Sequence, residues 1–425
     1  MPLLTKRAFI IIMLFLCGVL NYLDRTVFGV CSVFIANEFG FDQARLGIIF
    51  SCFSLGYISF NVLGGILADK FGPKHVLLAA VIGWSLFSGA TVIAVGFISL
   101  LMIRVVFGMA EGPLSTTTNK TIDPLYPPDK KASVMGIVAS GTPLGAAVAG
   151  PIVSFIAIKY NWKLSFIFIM VIGLIWSFFW WKYIANKKLA KTENEDSAKA
   201  KQEIISSTKF QQKLKMSFYL KQKVIIASAV AFFSYNYIIY LILNWFPYYL
   251  MTVRNFSLKD TGLITVIPWT LGFVGLAIGG IISDFIMRRI GHPLIARKIV
   301  IGFGLLVGAI SIFLVPFVDS SAMVVCLVSM SAFSLYLTGG VYWGVINDIV
   351  DTGNIGSVGG IMHGFGNCGG LFAPTVTGFA VKFTGSFTGS FVLAGVIGLT
   401  GAIGAFLFIN KIKADKAEIN KYTLA

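Results

Sequence analysis

Charged and reactive side chains are scarce in this chain. Asp, Glu, Lys and Arg make up 12% of its 425 residues, and it has three histidines and five cysteines. The cysteines stand singly, without the Cys-x-x-Cys or Cys/His spacing of a metal site, and the sequence has no Walker loop or nucleophile motif. These absences argue against an ATP-driven pump or a membrane enzyme, and we expect no cofactor.

Apolar residues, by contrast, make up 56% of the chain, and the mean hydropathy is +0.84. This composition indicates an integral membrane protein. A helical span needs about 20 apolar residues, and twelve such stretches occur. They cover approximately residues 8–35, 46–68, 75–95, 98–119, 133–157, 163–185, 222–251, 262–287, 297–317, 322–347, 356–381 and 388–410. We therefore predict an all-α membrane protein with twelve transmembrane helices.

The basic residues that give the net charge of +16 are unevenly distributed. With the N-terminus inside, the inner segments contain Lys6, Arg7, Lys70, Lys74, Lys120, Lys130, Lys131, Arg288, Arg289, Arg297 and Lys298. The outer loops contain only Arg45, Lys159, Lys163, Arg254, Lys259 and Lys382. This positive-inside pattern predicts that both termini are cytoplasmic. It also explains the excess charge by orientation and contact with membrane lipid, without a nucleic-acid partner.

Two phrases recur at nearly the same offset. The run GGILAD at 64–69 returns as GGIISD at 279–284, and SVMGI at 133–137 returns as SVGGI at 357–361, offsets of 215 and 224 positions. Repeats of this kind predict two pseudo-twofold six-helix bundles, residues 1–185 and 222–425. The polar, lysine-rich stretch 186–221 between them is predicted to be a cytoplasmic linker, with a regulatory segment as the alternative.

The first apolar run contains a cluster of polar residues, Asn21, Tyr22, Asp24 and Arg25. A charge at the centre of a membrane helix costs roughly 2.5 to 3.5 kcal/mol, so such residues indicate a functional site. Asn21 and Tyr22 share a helix face with Arg25. Adjacent residues point about 100° apart on a helix, so Asp24 and Arg25 can serve two different environments.

Further motifs accompany this cluster: GGILADKFGPK at 64–74, Arg104 with Gly108 and Glu111, NWFPYYL at 244–250 and GNCGG at 366–370. With these motifs the chain resembles the major facilitator superfamily and, within it, the anion:cation symporter family. The resemblance implies alternating access and proton-coupled symport of a small organic anion, such as a hexonate or hexuronate. Gly112, where many relatives have Ala, and His363, where relatives often have Asn, leave the exact substrate open.

Three of the charged residues are interpreted as carrying the chemistry. Arg25 is predicted to bind the substrate carboxylate, because its planar guanidinium can do so in a bidentate way. Glu111 is predicted to be the main proton carrier, since exclusion of water and a nearby guanidinium act on it in opposite directions. Asp24 is predicted to be a second proton-sensitive group. The alternative for each is a buried ion pair that only fixes helix packing.

Neutral residues are expected to complete the site. Beside Asn21 and Tyr22, the candidates for hydrogen bonding to hydroxyls or stacking on the substrate are Tyr57, Tyr235, Asn236, Trp245, His363 and Asn367. Ordinary packing is the alternative for each aromatic residue, and His363 could contact either substrate or proton. The motif residues Asp69, Lys70, Lys74, Asp284 and Arg288 are predicted to gate the cytoplasmic side by pairing across the halves, and Arg104 belongs to a widespread superfamily motif.

Two other functions stay open at this point. A spinster-type carrier of lysophospholipid also pairs a first-span Asp-Arg with a fourth-span Glu, and a non-transporting sensor would need a folded output domain. The short loops favour a bacterial cytoplasmic membrane. We expect a monomer that is driven by the proton gradient and takes a small carboxylate as its substrate.

Overall fold

The computed structural model describes residues 3–126, 128–185, 215–351 and 354–410, and within these ranges the regular elements are helices. The first half contains α1 (Leu3–Phe39), α2 (Gln43–Phe71), α3 (Pro73–Ala90), α4 (Phe97–Glu111), α5 (Leu114–Ile122), α6 (Pro128–Lys159) and α7 (Trp162–Trp180). The second contains α8 (Met216–Leu220), α9 (Lys223–Thr252), α10 (Leu258–Ile264), α11 (Val266–Ile290), α12 (Pro293–Leu314), α13 (Ser321–Thr338), α14 (Val341–Ile349), α15 (Ile355–Thr384) and α16 (Thr388–Phe408). Residues 186–214 of the predicted linker lie outside the described ranges.

Ten helical segments of the described chain are long and apolar enough to cross a membrane, and α2, which bends by 45°, makes eleven. The remaining predicted span, 356–381, is the eleventh in the chain and corresponds to α15, a helix of 30 residues. Its glycines and polar residues make it less apolar than the others. This composition is compatible with its position, because α15 packs between α2 and α9.

Two predicted spans are each interrupted at glycine or proline, between two consecutive helices. Span 98–119 is interrupted at Gly112 and Pro113, between α4 and α5, and span 322–347 at Gly339 and Gly340, between α13 and α14. Proline lacks a backbone N–H and glycine weakens a helix, so both are natural interruption points. The two breaks fall in the fourth span of each half.

Helix packing repeats between the halves. The pairs α1–α6, α2–α4 and α3–α7 of the first half correspond to α9–α15, α11–α13 and α12–α16 of the second. Between the halves, α2 packs on α15 and α6 packs on α11. Because α2 corresponds to α11 and α6 to α15, each of these two contacts is the symmetry equivalent of the other. The fold is therefore two pseudo-twofold six-helix bundles, with α1 and α9 meeting between them.

Glycines allow the helices to approach closely, as at Gly141, Gly145 and Gly369. A Cβ atom added at Gly141 or Gly145 would overlap the α1 backbone, and one at Gly369 would lie 2.6 Å from the Phe233 carbonyl oxygen of α9. Small residues at these positions bring membrane helices into backbone contact. They set the distance of α6 from α1 and of α15 from α9.

One end of the molecule is fastened across the bundles, and we call it the closed end. There Asp42 pairs with Lys382 at 2.8 Å, the Gln43 amide donates to the Tyr248 hydroxyl at 3.2 Å, and the Thr375 hydroxyl donates to Ser51 at 2.7 Å. At the opposite end, Asp69 pairs with Lys120 at 2.6 Å and Asp284 with Arg297 at 2.9 Å. These two pairs each join residues of a single bundle.

Candidate functional site

The candidate site lies at mid-length of α1 and along the second half of α4, which ends at Glu111. Among the described residues, the buried charged side chains are Asp24, Arg25, Arg104 and Glu111, and all four belong to the first bundle. An ionised group taken out of water costs several kcal/mol unless partners compensate for its lost hydration. The partners of these four groups therefore define the chemistry of the site.

Arg25 connects the two bundles through its guanidinium. Its Nε donates to Glu111 Oε2 at 2.8 Å, and its Nη1 donates to the Tyr240 hydroxyl of α9 at 3.0 Å. The ion pair is buried, with exposed fractions of 6% for Arg25 and 0% for Glu111. The ionised Arg25 of the first bundle is thus hydrogen-bonded to the neutral Tyr240 of the second bundle at the centre of the molecule.

Aromatic rings enclose the same guanidinium. Its central carbon lies 5.2 Å from the ring centre of Tyr22, 4.6 Å from that of Phe53 and 4.8 Å from that of Tyr57. A cation over a ring face is attracted by the π-electrons, more strongly when water is excluded. The structure therefore places the predicted residues Tyr22 and Tyr57 at Arg25 and adds Phe53.

Arg104 lies at this centre too, although its motif is associated with gating. Its guanidinium carbon is 4.7 Å from the Phe28 ring and 5.0 Å from the Phe107 ring, and its Nε has no hydrogen-bond partner in the described part of the chain. Glu111 Oε1 is likewise buried without a partner. The second guanidinium thus contributes positive charge near Glu111 without occupying its free oxygen.

Asp24 faces a different environment from Arg25, as the 100° separation predicts. Its carboxylate points toward Trp84 and Ser88 of α3, and both of its oxygens lack a hydrogen-bond partner among the described residues. The side-chain nitrogen of Asn21, which faces Glu111, is buried without a hydrogen-bond partner among the described residues. A buried carboxylate without donors is strongly disfavoured in its charged form, so Asp24 is suited to carry a proton.

The second bundle contributes neutral groups. The Tyr235 ring lies 6.1 Å from that of Tyr336, whose hydroxyl is buried without a partner. His363 stacks on Trp343 at 4.3 Å, with its Nε2 unpartnered. The Asn367 amide nitrogen donates to the His363 backbone carbonyl at 2.8 Å, which leaves its oxygen as an acceptor.

Two other predicted residues of α9 are already engaged in packing. Asn236 donates to the Phe232 backbone carbonyl at 2.9 Å, so its amide nitrogen is used within its own helix. Trp245 is fully buried toward the closed end, where its indole donates to the Pro374 carbonyl at 3.1 Å. A role for Trp245 in substrate binding stays a prediction, since the structure does not place it beside Arg25.

The predicted gate residues lie at the end opposite the closed end. Lys70 lies 5.2 Å from the Phe71 ring, the Lys74 carbonyl accepts the Trp180 indole N–H at 2.9 Å, and Arg288 is exposed. Asp69 and Asp284 take partners within their own bundles, as described above. The cross-bundle pairing expected of these residues stays a prediction.

Two groups outside the spans have shifted pKa values. The Lys382 ammonium, with the backbone N–H of Arg45, lowers the pKa of Asp42. Burial, together with a 2.8 Å hydrogen bond to Asp351, raises the pKa of Tyr219 to about 12. Tyr219 therefore stays a neutral donor at physiological pH and fastens α8 to the segment before α15.

Sequence reasoning missed several residues of the site. Phe53, Trp84, Tyr336 and Trp343 stand in apolar helices where an aromatic residue usually means packing. Ser88, four residues after Trp84, shares its helix face, and this spacing is the one signal that could have drawn attention to the pair. The other missed residues can be identified only from contacts between spans that are distant in the sequence.

Comparisons with known proteins bear on the family of this chain. The description "Major Facilitator Superfamily" belongs to the family model that matches residues 14–365. The chain is 45% identical over 405 residues to a hexuronate transporter of Bacillus subtilis (strain 168), covering 95% of this chain and 94% of the relative. It is 29% identical over 428 residues to a probable galactarate/D-glucarate transporter of Escherichia coli (strain K12), covering 96% and 94%.

Among solved structures, a bacterial homologue of the human lysosomal transporter spinster superposes with a TM-score of 0.75. The superposition covers 99% of each chain at 18% identity, so it bears on the fold alone. The family match spans most of the chain, and the relatives are transporters, not enzymes. Together with the two six-helix bundles, these findings establish that the chain belongs to the Major Facilitator Superfamily.

Proposed function

We propose that this transporter is a proton-coupled symporter of a small organic anion, a sugar acid such as a hexuronate or hexonate. The observation that carries the proposal is the buried Arg25–Glu111 ion pair, whose guanidinium also reaches Tyr240 in the other bundle. The similarity to a hexuronate transporter at 45% identity supports the substrate class.

The ion pair offers a simple exchange. When Glu111 takes up a proton, it no longer neutralises Arg25, and the guanidinium is free to bind a substrate carboxylate with two parallel N–H donors. A proton that enters with a monovalent anion also cancels its charge, which removes the cost of moving that charge through the protein. Asp24, whose two buried oxygens have no hydrogen-bond partner among the described residues, is the second candidate for protonation.

The rest of the substrate meets neutral groups. Tyr235, Tyr336 and His363 provide ring faces and polar atoms on the side of the second bundle. A sugar acid has the matching chemistry, because it has hydroxyls at one end and a carboxylate at the other. The aromatic rings offer its C–H faces a stacking surface.

Orientation follows from the basic residues. If both termini are cytoplasmic, the closed end of the molecule faces outward, and Asp69, Lys70, Lys74, Asp284 and Arg288 line the cytoplasmic side. We place the protein as a monomer in a bacterial cytoplasmic membrane, facing inward in this structure. The same charged residues would exchange their partners across the bundles when that side closes.

Uptake by purified protein in liposomes tests the proposal. A labelled hexuronate should accumulate when the interior is more alkaline than the bath, and a protonophore should abolish the accumulation. The spinster-type alternative predicts movement of a lysophospholipid and no response to sugar acids. Uptake of the sugar acid that does not depend on the pH gradient would contradict proton coupling but would still support the proposed substrate class.

A further inference from the structure

Helix α3 directs two donors at Asp24, and neither has a place in the function proposed above. Trp84 and Ser88 stand four residues apart on one face of α3, and both side chains face the Asp24 carboxylate. Trp84 is fully buried, and its indole N–H has no hydrogen-bond partner among the described residues. The two unpartnered oxygens of Asp24 therefore lie opposite an unpartnered donor.

A buried indole N–H without an acceptor is unusual, because its lost hydration is not repaid. Four other buried tryptophans of this chain do donate. Trp162 donates to Glu38 at 2.8 Å, Trp176 to Met13 at 2.9 Å, Trp180 to Lys74 at 2.9 Å and Trp245 to Pro374 at 3.1 Å. Packing alone would be served by phenylalanine at position 84, so the N–H at this position calls for an explanation.

We propose that Trp84 and Ser88 are positioning residues for proton release, which hold the Asp24 carboxylate once it has given up its proton. The inference rests on the proposed proton coupling. In the loaded state Asp24 is a neutral acid, which is a weaker acceptor for the two donors than a carboxylate. When the carboxyl releases its proton to the aqueous side, the carboxylate accepts the indole N–H of Trp84 and the hydroxyl of Ser88. Proton release therefore does not leave a buried Asp24 carboxylate without hydrogen-bond donors.

Other charged and titratable groups that face Asp24 do not replace these donors. Arg104 and Glu111 act on it from α4, and Cys17 lies near it on α1. Arg104 and Asp24 form no ion pair within 4 Å in this structure, and the negative charge of Glu111 opposes a second charge on Asp24. Arg104 favours the carboxylate through its charge alone, so the donors of α3 are the groups placed to hydrogen-bond to it.

The experiment measures the protonation of Asp24 itself. The carboxylic-acid C=O stretch is followed in the infrared spectrum of the full-length protein in lipid as the pH is raised, and the Asp24 band is identified by its loss in Asp24→Asn. Trp84→Phe keeps a buried ring but removes the N–H. Because a hydrogen bond to a charged group is lost, the midpoint of the band should move upward by about one to two pH units.

Trp176→Phe is the matched control, since it removes an indole N–H of the same bundle that is bonded to the Met13 carbonyl. It should leave the midpoint unchanged, whereas Ser88→Ala should raise it as Trp84→Phe does. A midpoint in Trp84→Phe equal to that of the parent overturns the inference. If the Asp24 band shifts as expected but uptake does not respond to a pH gradient, the positioning role stands and the proposed coupling fails.

Discussion

Replacing Glu111 by Gln separates proton coupling from substrate movement. Gln has the same size, and its amide oxygen can accept the hydrogen bond that Arg25 Nε now gives to Glu111 Oε2 at 2.8 Å, but it cannot exchange a proton. If one proton crosses with each monovalent anion, a pH difference of one unit supplies about 1.36 kcal/mol. That energy corresponds to about tenfold accumulation. We expect about tenfold accumulation by the parent and none by Glu111→Gln.

The assay compares two modes of transport in the same liposomes. Counterflow exchange of labelled for unlabelled sugar acid should continue in Glu111→Gln, because exchange needs no net proton movement. Glu38→Gln is the control, since Glu38 pairs with Lys163 at 2.5 Å and accepts from Trp162, far along α1 from Arg25. Accumulation by Glu111→Gln equal to the parent's would refute the assignment of the proton to Glu111.

Three further outcomes follow from the contacts. Arg25→Ala should abolish substrate binding in calorimetry and Arg25→Lys should restore little of it, because an ammonium lacks the planar fork; unchanged affinity in Arg25→Ala would reassign the residue to packing. Gly145→Ala should lower the melting temperature by forcing a methyl group against the α1 backbone, at a cost of about 1 to 3 kcal/mol, whereas Gly136→Ala, with open space around it, should not. Since Lys382 lowers the pKa of Asp42, their closed-end ion pair is present at neutral pH and lost as the pH falls below about 4. Spin labels across that end should separate in acid, and in Asp42→Asn already at neutral pH.

The sequence predicts the architecture well because a helix that crosses a membrane must be long and apolar. Length and hydropathy identify the spans, and the repeated phrases indicate two related bundles. The interruptions at Gly112 and Gly339 are less visible, since an average over an apolar window hides one or two residues. The eleventh span, α15, is the reverse case: its polar residues lower the average hydropathy, yet it forms a continuous helix of 30 residues.

The charged residues of the site can also be recognised in the sequence, because they differ from the apolar residues around them. Asp24, Arg25 and Glu111 stand out because charges are rare in apolar helices. Their partners do not stand out. Tyr240 lies 215 residues from Arg25, and nothing in α9 distinguishes it from the tyrosines around it, so only the packing of α1 against α9 identifies the bond. The roles of these residues stay predictions until transport is measured.

The scaffold is symmetric, but its chemistry is not. Helix contacts repeat between the bundles, whereas the buried charges among the described residues all belong to the first bundle. A change of protonation therefore alters the electrostatics of one bundle only, and the second can respond only through a contact that crosses between them. At the centre of the molecule that contact is the hydrogen bond from Arg25 to Tyr240. The bundles can rock only if such contacts change. Glu111, Tyr240 and the substrate compete for the Arg25 guanidinium, and this competition can couple proton binding to bundle movement.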